Sequence, residues 1–141
     1  FHQLLLSEKA IDLLLASRRL PGSEVNTVQP PLRRGAGHLF HWVVGSLGLS
    51  GLSDTQCGFK AFRPSSIRSV LPRLRLCGFL FDVEILLRSK AAGLCAREVP
   101  VEWHHRDGSS LGILRHAPSL AVELLYMWIL RFRLGRQRPR S

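Results

Sequence analysis

The segment from Ile11 to Ala16 is apolar at every position except Asp12, and a Ser-Arg-Arg sequence follows it at 17–19. A short, nearly continuous apolar run is typical of a parallel strand that is buried on both faces. The leucines within the run favour helix instead. Because helical patterns lie on either side of it, we interpret the run as a buried strand in an α/β layer architecture.

Helices and strands alternate along the rest of the chain. Pro100 has no amide proton to donate to a ladder, which places the last predicted strand at a sheet edge. The predicted helices cover 3–10, 32–47, a short stretch from Pro64, 79–92 and 118–134; the strands cover 11–16, 55–62 and 99–103; the loops cover 21–31 and 104–112. The residues expected to share an apolar helix face are Leu39, Trp42, Val43 and Leu47 on the second helix and Ile67, Val70 and Leu71 on the third.

Length and composition indicate one packed domain or part of a larger one. Of the 141 residues, 45% are hydrophobic and 21% are charged, which excludes wholesale disorder. The three cysteines form no Cys-x-x-Cys pair, which argues against a disulfide scaffold and a structural zinc site. No apolar run reaches the roughly 18–20 residues that span a bilayer. Since the chain starts at Phe1 rather than Met, we expect it to be a fragment of something longer.

Positive charge is the strongest compositional bias. The 20 basic and 10 acidic side chains give a formal net charge of +10, and all but three of the basic residues are arginine. The planar guanidinium donates two parallel hydrogen bonds to phosphate. A phosphate-bearing partner is therefore expected, whether nucleic acid, nucleotide or lipid headgroup.

The densest polar sequence is Ser53-Asp54-Thr55-Gln56-Cys57-Gly58-Phe59-Lys60, at a turn that leads into a predicted strand. Consecutive hydrogen-bonding side chains are costly there unless they meet a ligand or one another. Asp54 and Gln56 are therefore candidate site residues. The alternative is a local turn in which Asp54 binds nearby amides.

Two carboxylates open the predicted helix 79–92. Residues two apart on a helix point about 200° away from each other, so Asp82 and Glu84 do not form a carboxylate pair, and at most one of them faces a cleft. The alternative for Asp82 is an N-cap.

Cationic residues form three further candidates. Arg18 directly follows the first strand, where α/β sheets bind ligands. Arg33 and Arg34 start the next helix, with a solvated face or a contact with anionic lipid as the alternatives. Arg106 and Ser109 lie in the polar loop 104–112.

From residue 131 onward, the end of the last helix and the tail carry five arginines and no acidic residue. An apolar helix that runs into a basic tail matches an interfacial membrane element attracted by anionic headgroups. A solvated tail is the alternative. Nucleic acid is not an expected partner, because the tail lacks interleaved aromatic residues and no nucleic-acid module is present. The arginines concerned are Arg131, Arg133, Arg136, Arg138 and Arg140, preceded by Tyr126 and Trp128.

Several of these motifs, in this order, resemble the C-terminal part of the family-2 inverting glycosyltransferases, in particular the dolichyl-phosphate (polyprenyl-phosphate) β-glucosyltransferases, with polyprenyl-phosphate mannose synthases as near relatives. Ala16-Ser17-Arg18 is similar to the Gly-Ser-Arg that ends a strand in those enzymes. The resemblance covers roughly residues 11–134. The other segments are Asp54 to Lys60, Phe81 to Glu84, Glu98 to Trp103 and Gly108-Ser109.

The resemblance implies a GT-A fold, a nucleotide-diphosphate sugar donor, a divalent cation (Mg or Mn) and a dolichyl or polyprenyl phosphate acceptor. It implies transfer of a hexose, glucose or mannose, with inversion, by a peripheral protein at the cytoplasmic face of a membrane. By the same resemblance, Asp54 is the catalytic candidate, as base or as the residue that orients the acceptor. The substrate-binding candidates are Arg18, Arg33, Arg34, Gln56, Asp82, Glu84, Arg106 and Ser109.

The chain departs from the family in one respect. The metal-binding Asp-x-Asp and the N-terminal nucleotide-binding strands are absent, and the isolated Asp12 is no substitute. We therefore expect residues 1–134 to be the C-terminal part of the domain, 135–141 to be a basic tail, and this polypeptide alone to be inactive. The alternatives are a family-2 transferase that acts on a cell-envelope glycan and a non-catalytic basic module that binds membranes.

Overall fold

The computed structural model describes residues 2–25, 35, 40–103 and 113–136. Its mixture of helices and strands confirms the α/β class. The elements, in chain order, are α1 (His2–Ser7), β1 (Leu13–Ser17), β2 (Glu24–Val25), α2 (described over 40–44), β3 (Lys60–Phe62), α3 (Pro64–Ile67), α4 (Phe81–Ala91), β4 (Ala96–Pro100), β5 (Glu102–Trp103) and α5 (Ile113–Arg136).

Strand β1 is the centre of a three-stranded sheet with the order β3-β1-β4. It pairs in parallel with β4 and antiparallel with β3, and Leu15 has Glu98 on one side and Lys60 on the other. All five residues of β1 are buried, as its apolar sequence predicts. The edge position expected from Pro100 is confirmed among the described strands, because β4, which ends at Pro100, lies at one edge of this sheet. The single strand predicted over 99–103 is wrong, because these residues are divided between the end of β4 and β5, which belong to different sheets. Strands β2 and β5 form a separate parallel pair, and β2 falls within the predicted loop 21–31.

The two faces of β1 pack against different helices. Leu13 and Leu15 contact a core built from α4, α5 and the segment around Leu47. Leu14 packs on the other face with Leu5 and other residues near α1. Alternate side chains of a strand point to opposite faces, so burial on both sides explains the continuous apolar run.

Two residues expected on inward faces are exposed, and both predictions are wrong. Trp42 is 71% exposed, and Val44 is buried in its place. After α2 the chain continues through Gly45–Leu49 and kinks at Gly48, which takes a left-handed φ of 99°, so the regular 3.6-residue phase does not continue. Leu71 is 48% exposed because α3 ends at Ile67 and a separate 3₁₀ turn begins at Leu71.

Two predicted boundaries also change. The strand expected over 55–62 is limited to β3, because residues 54–56 form a turn that Asp54 holds through the Gln56 amide. The last helix begins five residues before Pro118 rather than at it. Among the described residues, no helix combines the length and apolar character needed to cross a membrane.

Gly78 lies where α5 meets the loop before α4. A Cβ at this position would be 1.9 Å from Oε1 of Glu123. The same carboxylate accepts a hydrogen bond of 2.8 Å from the amide of the fully buried Leu80. We expect Gly78→Ala to push Glu123 away from that amide and to lower the free energy of unfolding by about 1–3 kcal/mol, the cost of an unpaired buried donor.

Urea unfolding measures this effect. Gly51→Ala is the matched control, because no atom lies within 4 Å of a Cβ there. A loss for Gly78→Ala no larger than that for Gly51→Ala contradicts the prediction.

Candidate functional site

Arg18 and Asp54 form a two-pronged ion pair just beyond the carboxyl end of β1. Nε of Arg18 donates to Oδ2 of Asp54 at 2.7 Å, and Nη2 donates to Oδ1 at 2.9 Å. The backbone amide of Arg18 also donates to Oδ2 at 3.1 Å. The sequence predicted each of them separately as a site residue, and the structure brings them together. The pair uses two of the five N–H donors of the guanidinium.

The pair sets the charge of Asp54. Burial by itself raises the pKa of this carboxyl, but the hydrogen bonds from Arg18 and Gln56 and the positive charge outweigh it and hold the pKa below its usual value. The hydrogen bond to Asp54 in turn raises the pKa of Arg18. Asp54 is therefore an ionised carboxylate at neutral pH and a weak proton acceptor.

Glu98 of β4 holds the loop that carries Asp54. Its Oε1 and Oε2 accept hydrogen bonds of 2.9 and 2.8 Å from the amide of Ser53, and Oε1 accepts one of 2.9 Å from the amide of Asp54. Glu98 on β4 thus fixes the backbone at residues 53–54, beside the carboxyl end of the neighbouring strand β1. The sequence analysis did not predict Glu98 as a site residue. The one indication was that Glu98 begins the segment 98–103, which carries part of the family resemblance.

Gln56 lies beside the pair. Its backbone amide donates to Oδ1 of Asp54 at 3.2 Å. Its side-chain Nε2 is enclosed and has no hydrogen-bond acceptor among the described residues. A buried amide nitrogen without an acceptor is uncommon in folded proteins, and the oxygen of a water molecule or of a ligand would complete it.

A second ion pair connects the sheet to the start of α4. Nζ of Lys60 donates to Oδ2 of Asp82 at 2.9 Å and to the carbonyl of Cys57 at 2.6 Å. The lysine side chain is buried, whereas Asp82 is partly exposed. The N-cap interpretation of Asp82 is wrong, because the cap position is Leu80 and no side chain caps the helix. Lys60 was absent from the predicted site residues.

Glu84 is enclosed in the protein, unlike Asp82. Its side chain is fully buried, and its oxygens accept hydrogen bonds from the amides of Arg75 and Leu76, from Arg88 and from Tyr126. The expectation that Glu84 lines a cleft is therefore not met, since no part of its side chain reaches solvent. The 200° separation predicted on the helix explains why only one of the two carboxylates is accessible.

The other predicted site residues, Arg33, Arg34, Arg106 and Ser109, lie outside the described residues. Trp103 is the last described residue before 104–112, the stretch predicted as a loop that carries Arg106 and Ser109. The guanidinium of Arg18 lies 5.6 Å from the centroid of its ring, within the range of a cation–π contact.

The described residues do not fit a divalent cation. No three histidine, cysteine or acidic side chains converge anywhere in the described ranges. Asp54 and Asp82 are each paired with a cationic side chain. Asp12 accepts hydrogen bonds from Ser66 and from the amide of Cys95. These carboxylates are committed to protein partners and are not free to ligate a metal ion.

In α/β domains the ligand site lies beyond the carboxyl ends of the strands, and the Arg18–Asp54 pair occupies that position after β1. Three curated relatives make the class of protein more specific. A dolichyl-phosphate β-glucosyltransferase of Saccharomyces cerevisiae is 36% identical over 61% of this chain and 26% of its own length. Enzymes of the same name are 32% identical over 81% of the chain in Trichomonas vaginalis and 33% over 74% in Drosophila melanogaster.

These matches confirm the resemblance drawn from the motifs: the chain is similar in sequence to the dolichyl-phosphate β-glucosyltransferases among the glycosyltransferases. It spans 26% to 35% of the length of these three relatives. No protein-family model matches the chain. No solved structure matches it either.

Proposed function

We propose that this chain is the acceptor-side portion of a glycosyltransferase that moves glucose from a nucleotide-diphosphate sugar to dolichyl phosphate. The observation that carries the proposal is the Arg18–Asp54 pair, held by Glu98 in segments that resemble those of the relatives. In the finer form of this proposal, residues 1–134 are the C-terminal part of a GT-A domain and 135–141 are a basic tail. The protein then acts peripherally at the cytoplasmic face of a membrane.

The proposed reaction is a single displacement with inversion. An oxygen of the acceptor phosphate forms the new bond to the anomeric carbon while the bond from that carbon to the nucleotide diphosphate breaks. A phosphate monoester is largely ionised near pH 7, so the acceptor needs positioning more than deprotonation. The pKa of Asp54, lowered by its hydrogen bonds and pairing with Arg18 despite the effect of burial, favours the orienting role over that of a base.

Five of the described site residues have a role in this proposal. Asp54 orients Arg18, whose remaining N–H donors face an anion, and Glu98 fixes the loop of Asp54. The unpaired Nε2 of Gln56 donates to an oxygen of the ligand. The partly exposed Asp82 borders the same site through Lys60, which binds both Asp82 and the carbonyl of Cys57, next to Gln56. The ligands of the divalent cation that the resemblance implies lie, in this proposal, on the portion of the relatives that this chain does not span.

The proposal predicts that the chain supports transfer of glucose to dolichyl phosphate when it is joined to the portion of a relative that it does not span. The test is a chimera in which this chain replaces the matching segment of the Saccharomyces cerevisiae relative. We expect it to move radiolabelled glucose to dolichyl phosphate, measured in the lipid extract, and to use nucleotide-diphosphate mannose poorly. The 141-residue chain alone is expected to transfer nothing.

The relative without replacement is the positive control for donor and acceptor. Label that appears only on a non-lipid acceptor contradicts the proposal and favours a transferase that acts on a glycan. A chimera that folds, as judged by circular dichroism, and transfers to neither acceptor also contradicts it.

A further inference from the structure

Helix α5 exposes an apolar stripe, defined by Val122, Leu125, Ile129 and Phe132. These residues are 69%, 64%, 46% and 62% exposed. Their spacing of three, four and three residues places them on one side of the helix. A soluble helix normally buries such a stripe against the protein.

The opposite side of α5 fixes this orientation. Met127 and Leu130 are buried in the main core. Tyr126 donates to Glu84 at 2.9 Å, so this tyrosine faces the protein, contrary to its place in the predicted interfacial set. Because the inner side is bonded and packed, the helix cannot rotate to bury the apolar stripe without breaking the core.

The charged side chains near the apolar stripe are all positive among the exposed described residues of α5. Arg133 and Arg136 are exposed in the last turns of α5, and Arg136 falls four residues after Phe132 on the same side. The only acidic residue of the helix, Glu123, is turned inward to the amide of Leu80. The outward side therefore presents apolar and cationic groups together.

We infer that the apolar stripe, with Arg133 and Arg136, docks α5 in the plane of an anionic membrane surface. Apolar side chains enter the boundary between headgroups and acyl chains, while the guanidinium groups meet lipid phosphate and carboxylate. Trp128 and Phe132, whose ring centroids are 5.9 Å apart, add the aromatic character that favours this boundary. The inference rests on the proposed function and deepens it, since that proposal places the protein at a membrane but names no surface that meets the lipid.

A second copy of the chain fits the stripe less well. Four such side chains expose on the order of 400 Å², about half of what each partner buries in a standard interface. A parallel pairing of two copies would also bring their arginines close to each other. An anionic lipid surface instead neutralises them.

Vesicle co-sedimentation of the 141-residue chain tests the inference. We expect binding to phosphatidylcholine vesicles that contain phosphatidylserine, weaker binding to phosphatidylcholine alone, and weakening by salt. Leu125→Ser and the double variant Arg133→Glu/Arg136→Glu are each expected to reduce binding about tenfold. Brominated lipid is expected to quench the emission of Trp128, and Trp128→Phe to remove that quenching.

The matched controls make the same types of substitution, leucine to serine and two arginines to glutamate, at exposed residues outside α5. Leu71→Ser changes another exposed leucine, and Arg68→Glu/Arg73→Glu reverses two exposed arginines. Equal losses in the controls, or no vesicle binding by the wild-type chain, overturn the inference. If the wild-type chain does not bind vesicles but forms a dimer that Leu125→Ser dissociates, the inference is overturned and the apolar stripe contacts a second copy of the chain. No sugar donor is present in the assay, so its failure is distinguishable from failure of the transfer reaction.

Discussion

Replacement of Glu84 by alanine is expected to lower the free energy of unfolding by about 3–5 kcal/mol, the cost of breaking a buried ion pair. The carboxylate accepts four hydrogen bonds: two on Oε2 from the amides of Arg75 and Leu76, and two on Oε1 from Arg88 and Tyr126. Its removal leaves the Arg88 side chain, 12% exposed, without its counter-charge. Urea unfolding of the 141-residue chain measures the loss.

The matched control is Glu8→Ala. Glu8 also pairs with an arginine, Arg97, at 2.6 Å, but both side chains are about half exposed. Exposed pairs contribute about 0–1 kcal/mol, because water and salt screen them. Similar losses for Glu84→Ala and Glu8→Ala contradict the view that burial makes the Glu84 network a main stabilising contact.

The pH dependence of Glu84→Gln provides a second measurement. Burial alone raises the pKa of Glu84, but the hydrogen bonds from the two amides, Arg88 and Tyr126 outweigh it and lower the pKa. A carboxyl with a lowered pKa in the folded state contributes stability that is complete above its unfolded pKa, about 4.3. The difference in stability between wild type and Glu84→Gln is therefore expected to be full at neutral pH and to shrink as the pH falls below about 4.

Strand β1 and helix α4 were predictable because their signals are local. Consecutive apolar residues encode burial on both faces of β1, and the predicted helix 79–92 differs from Phe81–Ala91 by only two residues at the start and one at the end. The failure at Trp42 has a structural cause, since the kink at Gly48 breaks the continuous helical phase that the prediction assumed between Trp42 and Leu47.

The internal bonding of the site was not predictable in the same way. Asp54 and Arg18 are 36 residues apart, and Glu98 is 44 residues from Asp54. Glu98 binds backbone amides, which almost every residue offers, so no partner residue type in the sequence reveals the contact. The sequence also did not show that the guanidinium of Arg18 binds Asp54 as well as a ligand. This contact forms only because the folded chain brings two distant segments together.

In the chimera that transfers glucose, Asp54→Asn is expected to lower kcat about a hundredfold, the usual cost of a misplaced reacting group. The asparagine keeps the shape of the side chain but loses the charge that holds both prongs of Arg18. Arg18→Lys is expected to have a comparable effect, because an ammonium group cannot form the two-pronged contact. Initial rates at saturating donor and acceptor measure both.

The pH profile separates orientation from base catalysis. Desolvation on burial acts to raise the pKa of Asp54, but the contacts with Arg18 and Gln56 outweigh it and hold the pKa below the ordinary value of about 3.9. The stabilising pair is therefore complete above that value and is lost only as the pH falls through the lowered pKa. We expect kcat of the unsubstituted chimera to show no acid limb attributable to Asp54 between about pH 5 and 7. An acid limb in that range that Asp54→Asn abolishes assigns Asp54 as the base instead.

Asp12→Asn is the matched control for these rates. Asp12 also has a lowered pKa, caused first by its hydrogen bond from Ser66 and then by the amide of Cys95. It precedes β1, whereas Arg18 follows the same strand, so the two carboxylates act at opposite ends of one five-residue element. Loss of a hydrogen-bonded carboxylate at the far end is expected to lower stability and to leave kcat within about twofold, since additive effects are usual at separated sites. A hundredfold loss in Asp12→Asn as well would mean that Asp54 acts only through the stability of the sheet.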